Sequence, residues 1–255
     1  MMILDKFKLT DQVAIVTGVA TGLGKAMAIG LAEAGADIVG VYHSHAPEDA
    51  QEKIEATGRR FVGVQANLMT IAPIKGIVAK AVETFGKVNI LVNNAGIIRR
   101  APSLEFTEKD WDDVMNVNLK SVFFLSQAVA DQFVKQGTGG KIISIASLLA
   151  FQGGILIPPY TSSKSGIRGL TQLLANEWAK HNINVNAIAP GYMITDNTAP
   201  LRSDPVRNKA ILDRIPAGHW GDPEELQGAV VFLASAASNY MNGFTLAVDG
   251  GWLGR

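Results

Sequence analysis

Seven short apolar, β-branched runs recur along the chain, at residues 13–17, 38–42, 61–65, 90–93, 141–145, 184–188 and 244–248, with longer stretches of helical spacing between them. Runs that are apolar on both faces read as strands covered from both sides. Helix-length connections between them require a parallel sheet, because a parallel neighbour is reached only by a long crossover. The expected fold class is therefore α/β, a doubly wound, seven-stranded parallel sheet flanked by helices. An eight-fold barrel needs one strand more than these runs supply. No linker, repeat or low-complexity stretch interrupts the pattern, so residues 1–255 are expected to form a single domain. Residues 195–220, which begin polar and carry proline, are expected to make a loop-and-helix lid.

Composition removes several classes of function. The 23 basic residues balance the 23 acidic ones, so no net positive field draws in nucleic acid or anionic lipid. With no cysteine there is no disulfide, thiolate ligand or cysteine nucleophile, and any redox chemistry has to come from a bound cofactor. No metal site is expected. Asp5, Lys6 and Lys8 break the apolar N-terminus, which leaves neither a secretory leader nor the ~20 apolar residues of a membrane span; a cytoplasmic location is expected.

The first strand runs directly into Thr17-Gly18-Val19-Ala20-Thr21-Gly22-Leu23-Gly24 and then into a helix over residues 23–34 that stops at Gly35. Glycines at this point let the backbone turn tightly and approach a pyrophosphate, whose charge the helix N-terminus stabilises. The spacing is G-x3-G-x-G, not the G-x-G-x-x-G of the usual dinucleotide fingerprint.

Tyr160 and Lys164 stand four residues apart in a helical stretch, residues 160–180, and so share one face. An ammonium beside a phenol favours the phenolate, which would let Tyr160 give or take a proton near neutrality. Ser147 follows the strand at 141–145, at the carboxyl edge where doubly wound sheets hold ligands, and its hydroxyl suits a substrate oxygen.

These motifs together resemble the short-chain dehydrogenase/reductase family over essentially the whole chain: the turn Thr17–Gly24, then Asn93-Asn94-Ala95-Gly96, then Asn118, Ser147, Tyr160 and Lys164, then Pro190-Gly191 with Thr195. The resemblance implies a single-domain Rossmann fold, an enzyme, and a hydride passed between a nicotinamide cofactor and a CH–OH or C=O carbon. It makes Asn118, Ser147, Tyr160 and Lys164 the catalytic set. It assigns cofactor contacts to Gly18, Thr21, Gly22, Leu23, Gly24, Tyr42, His43, Asn67, Leu68, Asn94, Ala95, Gly96, Tyr160, Lys164, Pro190, Gly191 and Thr195. For Asn93 and Asn94, a bond to neighbouring backbone is as good a reading as cofactor contact. It also implies a homotetramer.

Tyr42 occupies the place where NAD-dependent members carry an acid against the adenine ribose, so rejection of a 2′-phosphate is missing. No Arg or Lys at Thr21 or in residues 42–45 is there to hold such a phosphate. The expectation favours NAD(H), with tolerance of NADP(H). Within the family, Ile98-Arg99-Arg100 and residues 105–115, 175–181 and 214–221 resemble the bacterial 2-deoxy-D-gluconate 3-dehydrogenases, also called 2-keto-3-deoxy-D-gluconate 5-dehydrogenases. That implies a sugar-acid substrate. Arg99, Arg100 and Arg202 are the candidate carboxylate ligands, and Gln152 joins Ser147 and Tyr160 as a candidate substrate contact. A gluconate 5-dehydrogenase and a 3-oxoacyl thioester reductase are alternatives of the same class; a non-catalytic, nucleotide-sensing regulator is the alternative from another.

Overall fold

The structure, a computed structural model, describes residues 2–255. The strands β1 (Val13–Thr17), β2 (Asp37–Tyr42), β3 (Phe61–Gln65), β4 (Ile90–Asn93), β5 (Gly140–Ile145), β6 (Ile183–Pro190) and β7 (Thr245–Val248) form one parallel sheet in the order β3-β2-β1-β4-β5-β6-β7. The seven expected strands are all present in a Rossmann-type sheet. Three run longer than the apolar pattern suggested: β2 pairs from Asp37 opposite Val13, the β5–β6 ladder begins at Gly140 opposite Ile183, and β6 pairs on to Pro190 opposite Val248.

Every residue of β1 and β4 is buried, as strands covered on both faces require. Neighbouring residues of β1 enter opposite layers. Val16 joins a cluster with Met27 and Leu31 of α1 (Gly22–Glu33) and Ile54 of α2 (Glu48–Ala56). Ile15 joins Ile77 of α3 (Ile74–Phe85), Leu125 and Phe133 of α5 (Ser121–Gln136) and Leu174 of α6 (Pro158–Trp178).

The helical path before β5 is continuous but widens once. Between α4 (Glu108–Met115) and α5, residues Asn116–Lys120 make a π turn, a widening frequent at functional sites. The segment after β6 contains α7 (Ala199–Ser203) and α8 (Pro205–Leu212), the second capped by Asp204, whose carboxylate accepts from the Val206 and Arg207 amides. The last helix, α9 (Gln227–Ala234), leads into β7. The strand order reverses between β1 and β4, and their carboxyl ends open the crevice where such sheets hold ligands. No helix among the described residues is long and apolar enough to cross a membrane.

Candidate active site

The turn after β1 is braced from β4. Thr17 Oγ1 accepts the N–H groups of Asn94 and Ala95, each at 2.9 Å. Asn94 Nδ2 in turn donates to the Thr17 and Gly18 carbonyls at 2.9 and 3.3 Å, so this amide is a strut for the turn. Asn93 points the other way, its Nδ2 donating to the hydroxyls of Ser126 and Ser144. Gly18 and Gly22 have φ of +70° and +54°. Gly24 has an ordinary backbone but no room: an added Cβ would overlap the Gly18 carbonyl oxygen and the Asn94 amide.

Thr21 holds the N-cap position of α1 without a side-chain bond to the helix. The first-turn amides are thus left for an anion, and the glycine cradle fits the pyrophosphate of a dinucleotide. Thr195 closes over this turn, its Cγ2 lying 3.6 Å from where a Gly22 Cβ would be. Tyr42, His43, Asn67 and Leu68 lie at or just past the ends of β2 and β3 on the same edge. The Tyr42 ring leans over Gly63, and His43 is exposed. Asn67 Oδ1 accepts from the Met69 amide, an Asx turn. Pro190 ends β6, and Gly191 sits against the Asp249 backbone with no space for a side chain.

Ser147 caps the short turn after β5, its Oγ accepting from the Leu149 amide at 3.2 Å. Tyr160 and Lys164 lie one turn apart on α6, which starts at Pro158-Pro159, a suitable opening for a helix. Lys164 is buried, with Nζ 2.6 Å from the Ile145 carbonyl and 5.6 Å from the centre of the Tyr160 ring. Burial pushes its ammonium down to about 8. The expectation that Lys164 depresses the Tyr160 phenol needs correcting. Burial pushes that phenol up, opposed by the Ser147 hydroxyl and the Arg100 charge, while the Lys164 ammonium is spent on the Ile145 carbonyl. Asn118, inside the π turn, bonds the backbone of Ile97 on both sides: its Oδ1 accepts from the Ile97 amide at 2.8 Å and its Nδ2 donates to the Ile97 carbonyl at 2.9 Å. Its Oδ1 also lies 3.3 Å from where a Gly96 Cβ would be.

Ser147 and Tyr160 line a cleft of about 770 Å³. Arg100 and Gln152 line it too, together with residues that the sequence reading did not single out: Arg207 on α8, Arg214 just past it, Tyr192 and Trp252. No acidic side chain is among the lining groups. Two expected carboxylate ligands lie elsewhere. Arg99 faces α4, with Nε 3.4 Å from Asp110 and Nη2 3.6 Å from Asp113. Arg202 donates from Nη2 to the Thr195 carbonyl at 3.1 Å and does not line the cleft. Arg99→Ala is therefore expected to leave KM for an anionic substrate within about twofold of wild type, since exposed ion pairs contribute little; steady-state kinetics check this.

The sequence profile of the family described as short chain dehydrogenase matches residues 12–206. The chain belongs to this family. A 2-dehydro-3-deoxy-D-gluconate 5-dehydrogenase of Dickeya dadantii is 65% identical over 254 residues, covering 100% of both chains. A solved structure from Agrobacterium tumefaciens, named for 2-deoxy-D-gluconate 3-dehydrogenase activity and holding NADP, superposes with a TM-score of 0.93 at 52% identity, over 98% of this chain and 100% of that one. A gluconate 5-dehydrogenase of Burkholderia cenocepacia in complex with NADP and tartrate matches with a TM-score of 0.93 at 38% identity, over 100% of both. This short-chain dehydrogenase is thus an NAD(P)-dependent oxidoreductase acting on a CH–OH group, which sets aside the regulator alternative.

Proposed function

We propose that this short-chain dehydrogenase interconverts a hydroxyl and a ketone on a sugar acid, with 2-keto-3-deoxy-D-gluconate and its 2,5-diketo form as the substrate pair. The observation that carries this reading is the charge of the cleft: Arg100, Arg207 and Arg214 line it, and no carboxylate does. A cleft so charged favours an anion at the site where Ser147 and Tyr160 meet it. The relatives' names point to the same class of substrate.

In the reductive direction Ser147 donates a hydrogen bond to the ketone oxygen and Tyr160 gives that oxygen its proton. When bound, the nicotinamide cofactor supplies the hydride to carbon. Lys164, one of whose donors is held by the Ile145 carbonyl, would bond the cofactor's ribose with the others, and Asn118 fixes the Ile97 backbone beside the site. Residues 195–220 act as the lid of a single domain. Its first residue, Thr195, faces Gly22 of the cofactor turn, while Asn197, Leu201 and Arg214 face the substrate.

The preference for NAD(H) expected from the sequence gains no support from the relatives, whose solved structures carry NADP. We read the ribose pocket as open to both, because Tyr42 supplies no carboxylate against a 2′-phosphate. The homotetramer implied by the family resemblance is proposed as well, and sedimentation equilibrium tests it. A cytoplasmic location accords with the sequence and stays a proposal.

The test is turnover of 2-keto-3-deoxy-D-gluconate, D-gluconate and an acetoacetyl thioester with each cofactor. Activity concentrated on the deoxy acid, with both cofactors used, is the expected result. Preference for gluconate would favour the sibling activity that the Burkholderia relative is named for. Preference for the thioester would overturn the sugar-acid reading.

A further inference from the structure

The three arginines of the cleft are not equivalent. Arg100 donates from Nη2 to the Asn197 carbonyl at 3.0 Å, and its charge bears on the Tyr160 phenol, so it sits at the reacting end. Arg207 on α8 and Arg214 are both exposed, but among the described residues the Arg207 guanidinium has no hydrogen-bond or ion-pair partner. Arg214 is held. Its guanidinium lies over the Trp252 indole, 4.1 Å from the ring centre, and its Nη2 donates to Gln152 Oε1 at 3.2 Å. The same oxygen accepts from Trp252 Nε1 at 3.2 Å, so one amide ties the indole and the guanidinium together.

The platform under Arg214 is rigid. Trp252 is buried, with the Tyr192 ring 4.7 Å away and tilted against it. It is delivered there by two left-handed glycines, Gly250 and Gly251, at φ of +62° and +89°. The Asp249 carboxylate secures that turn by accepting the Gly251 and Leu253 amides at 2.9 Å each. A guanidinium stacked on its face keeps its edge donors free. None of the ion pairs among the described residues includes Arg214. The result is a cation fixed in advance with the geometry of a carboxylate receptor and no carboxylate of its own.

We propose that Arg214, stacked on Trp252 and tied to Gln152, receives the substrate carboxylate. The inference rests on the sugar-acid reading above. In a 5-keto acid the carboxylate is at the opposite end of the molecule from the reacting carbon, so its anchor has to be separate from the groups around the phenol. Arg100 belongs to those groups, and Arg214 does not touch them.

The experiment compares wild type with Arg214→Met on 2-keto-3-deoxy-D-gluconate and on its primary amide, which keeps the shape and lacks the charge. Losing a bidentate charged contact is expected to raise KM for the acid roughly 10- to 100-fold with kcat little changed, while the amide is handled alike by both proteins. Cofactor binding, read by fluorescence, reports that the variant is folded. Gln152→Leu removes the tie and gives a second reading, with KM rising more for the acid than for the amide. Equal losses on acid and amide, or an unchanged KM for the acid in Arg214→Met, would overturn the role of Arg214 while leaving the sugar-acid function standing. A wild type that turns over no sugar acid would overturn both.

Discussion

Tyr160→Phe is expected to lower kcat about 100- to 10,000-fold in either direction while leaving the fold in place, because the ring is kept and only the hydroxyl is lost. The phenol is pushed up by burial, against the weaker pull of Ser147 and Arg100, so at neutral pH the hydroxyl is protonated and poised to donate. The sign of the pH dependence follows. Reduction needs the protonated phenol, so its rate holds through neutrality and falls only as the phenol ionises. Oxidation needs the phenolate, so its rate climbs toward alkaline pH. Stopped-flow traces of wild type and variant from pH 6 to 10 should show a level reductive rate and a rising oxidative one. A variant retaining more than about a tenth of wild-type kcat would remove Tyr160 from the proton-donor role.

The parts of the site that could be read in the sequence are those built from neighbours in the chain. Tyr160 and Lys164 are one helical turn apart, and the glycine turn joins a strand to the helix that follows it, so spacing alone places them. The receptor around Arg214 could not be read this way. Gln152 meets Arg214 across 62 residues and Trp252 across 100, contacts that exist only once β6, α8 and the final turn are assembled. Arg99 and Arg100 show a finer limit. They are consecutive in a segment outside any helix or strand, and one pairs with α4 while the other enters the cleft. The sequence shows two arginines and does not say which one turns inward. The π turn at Asn118 was hidden for a similar reason, since a helix with one extra residue keeps an almost unbroken helical pattern. Asn94 illustrates the converse: its motif marks the site, yet its amide is used to brace Gly18.

Lys164→Met is expected to cut kcat/KM by about 100-fold or more, through loss of a buried cation at the reacting centre, and to change how stability depends on pH. In the folded protein burial pushes Lys164 down to about 8, against roughly 10.4 for an unfolded lysine. Below pH 8 both states are protonated, and the folded state carries the full cost of the buried charge. Between about 8 and 10.4 the folded lysine has lost its proton and the unfolded one keeps it, so the unfolded state binds more protons and stability rises with pH. The relief amounts to about 3 kcal/mol across that window, and the methionine variant lacks it. Lys141, also pushed down to about 8 by burial, and the raised Tyr160 titrate in both proteins and cancel in the difference. Urea denaturation at pH 7 and pH 10 should therefore show wild type gaining on Lys164→Met as the pH rises. A constant offset between the two proteins would mean that Lys164 carries no buried charge at neutral pH, and its place beneath the Tyr160 ring would then serve packing alone.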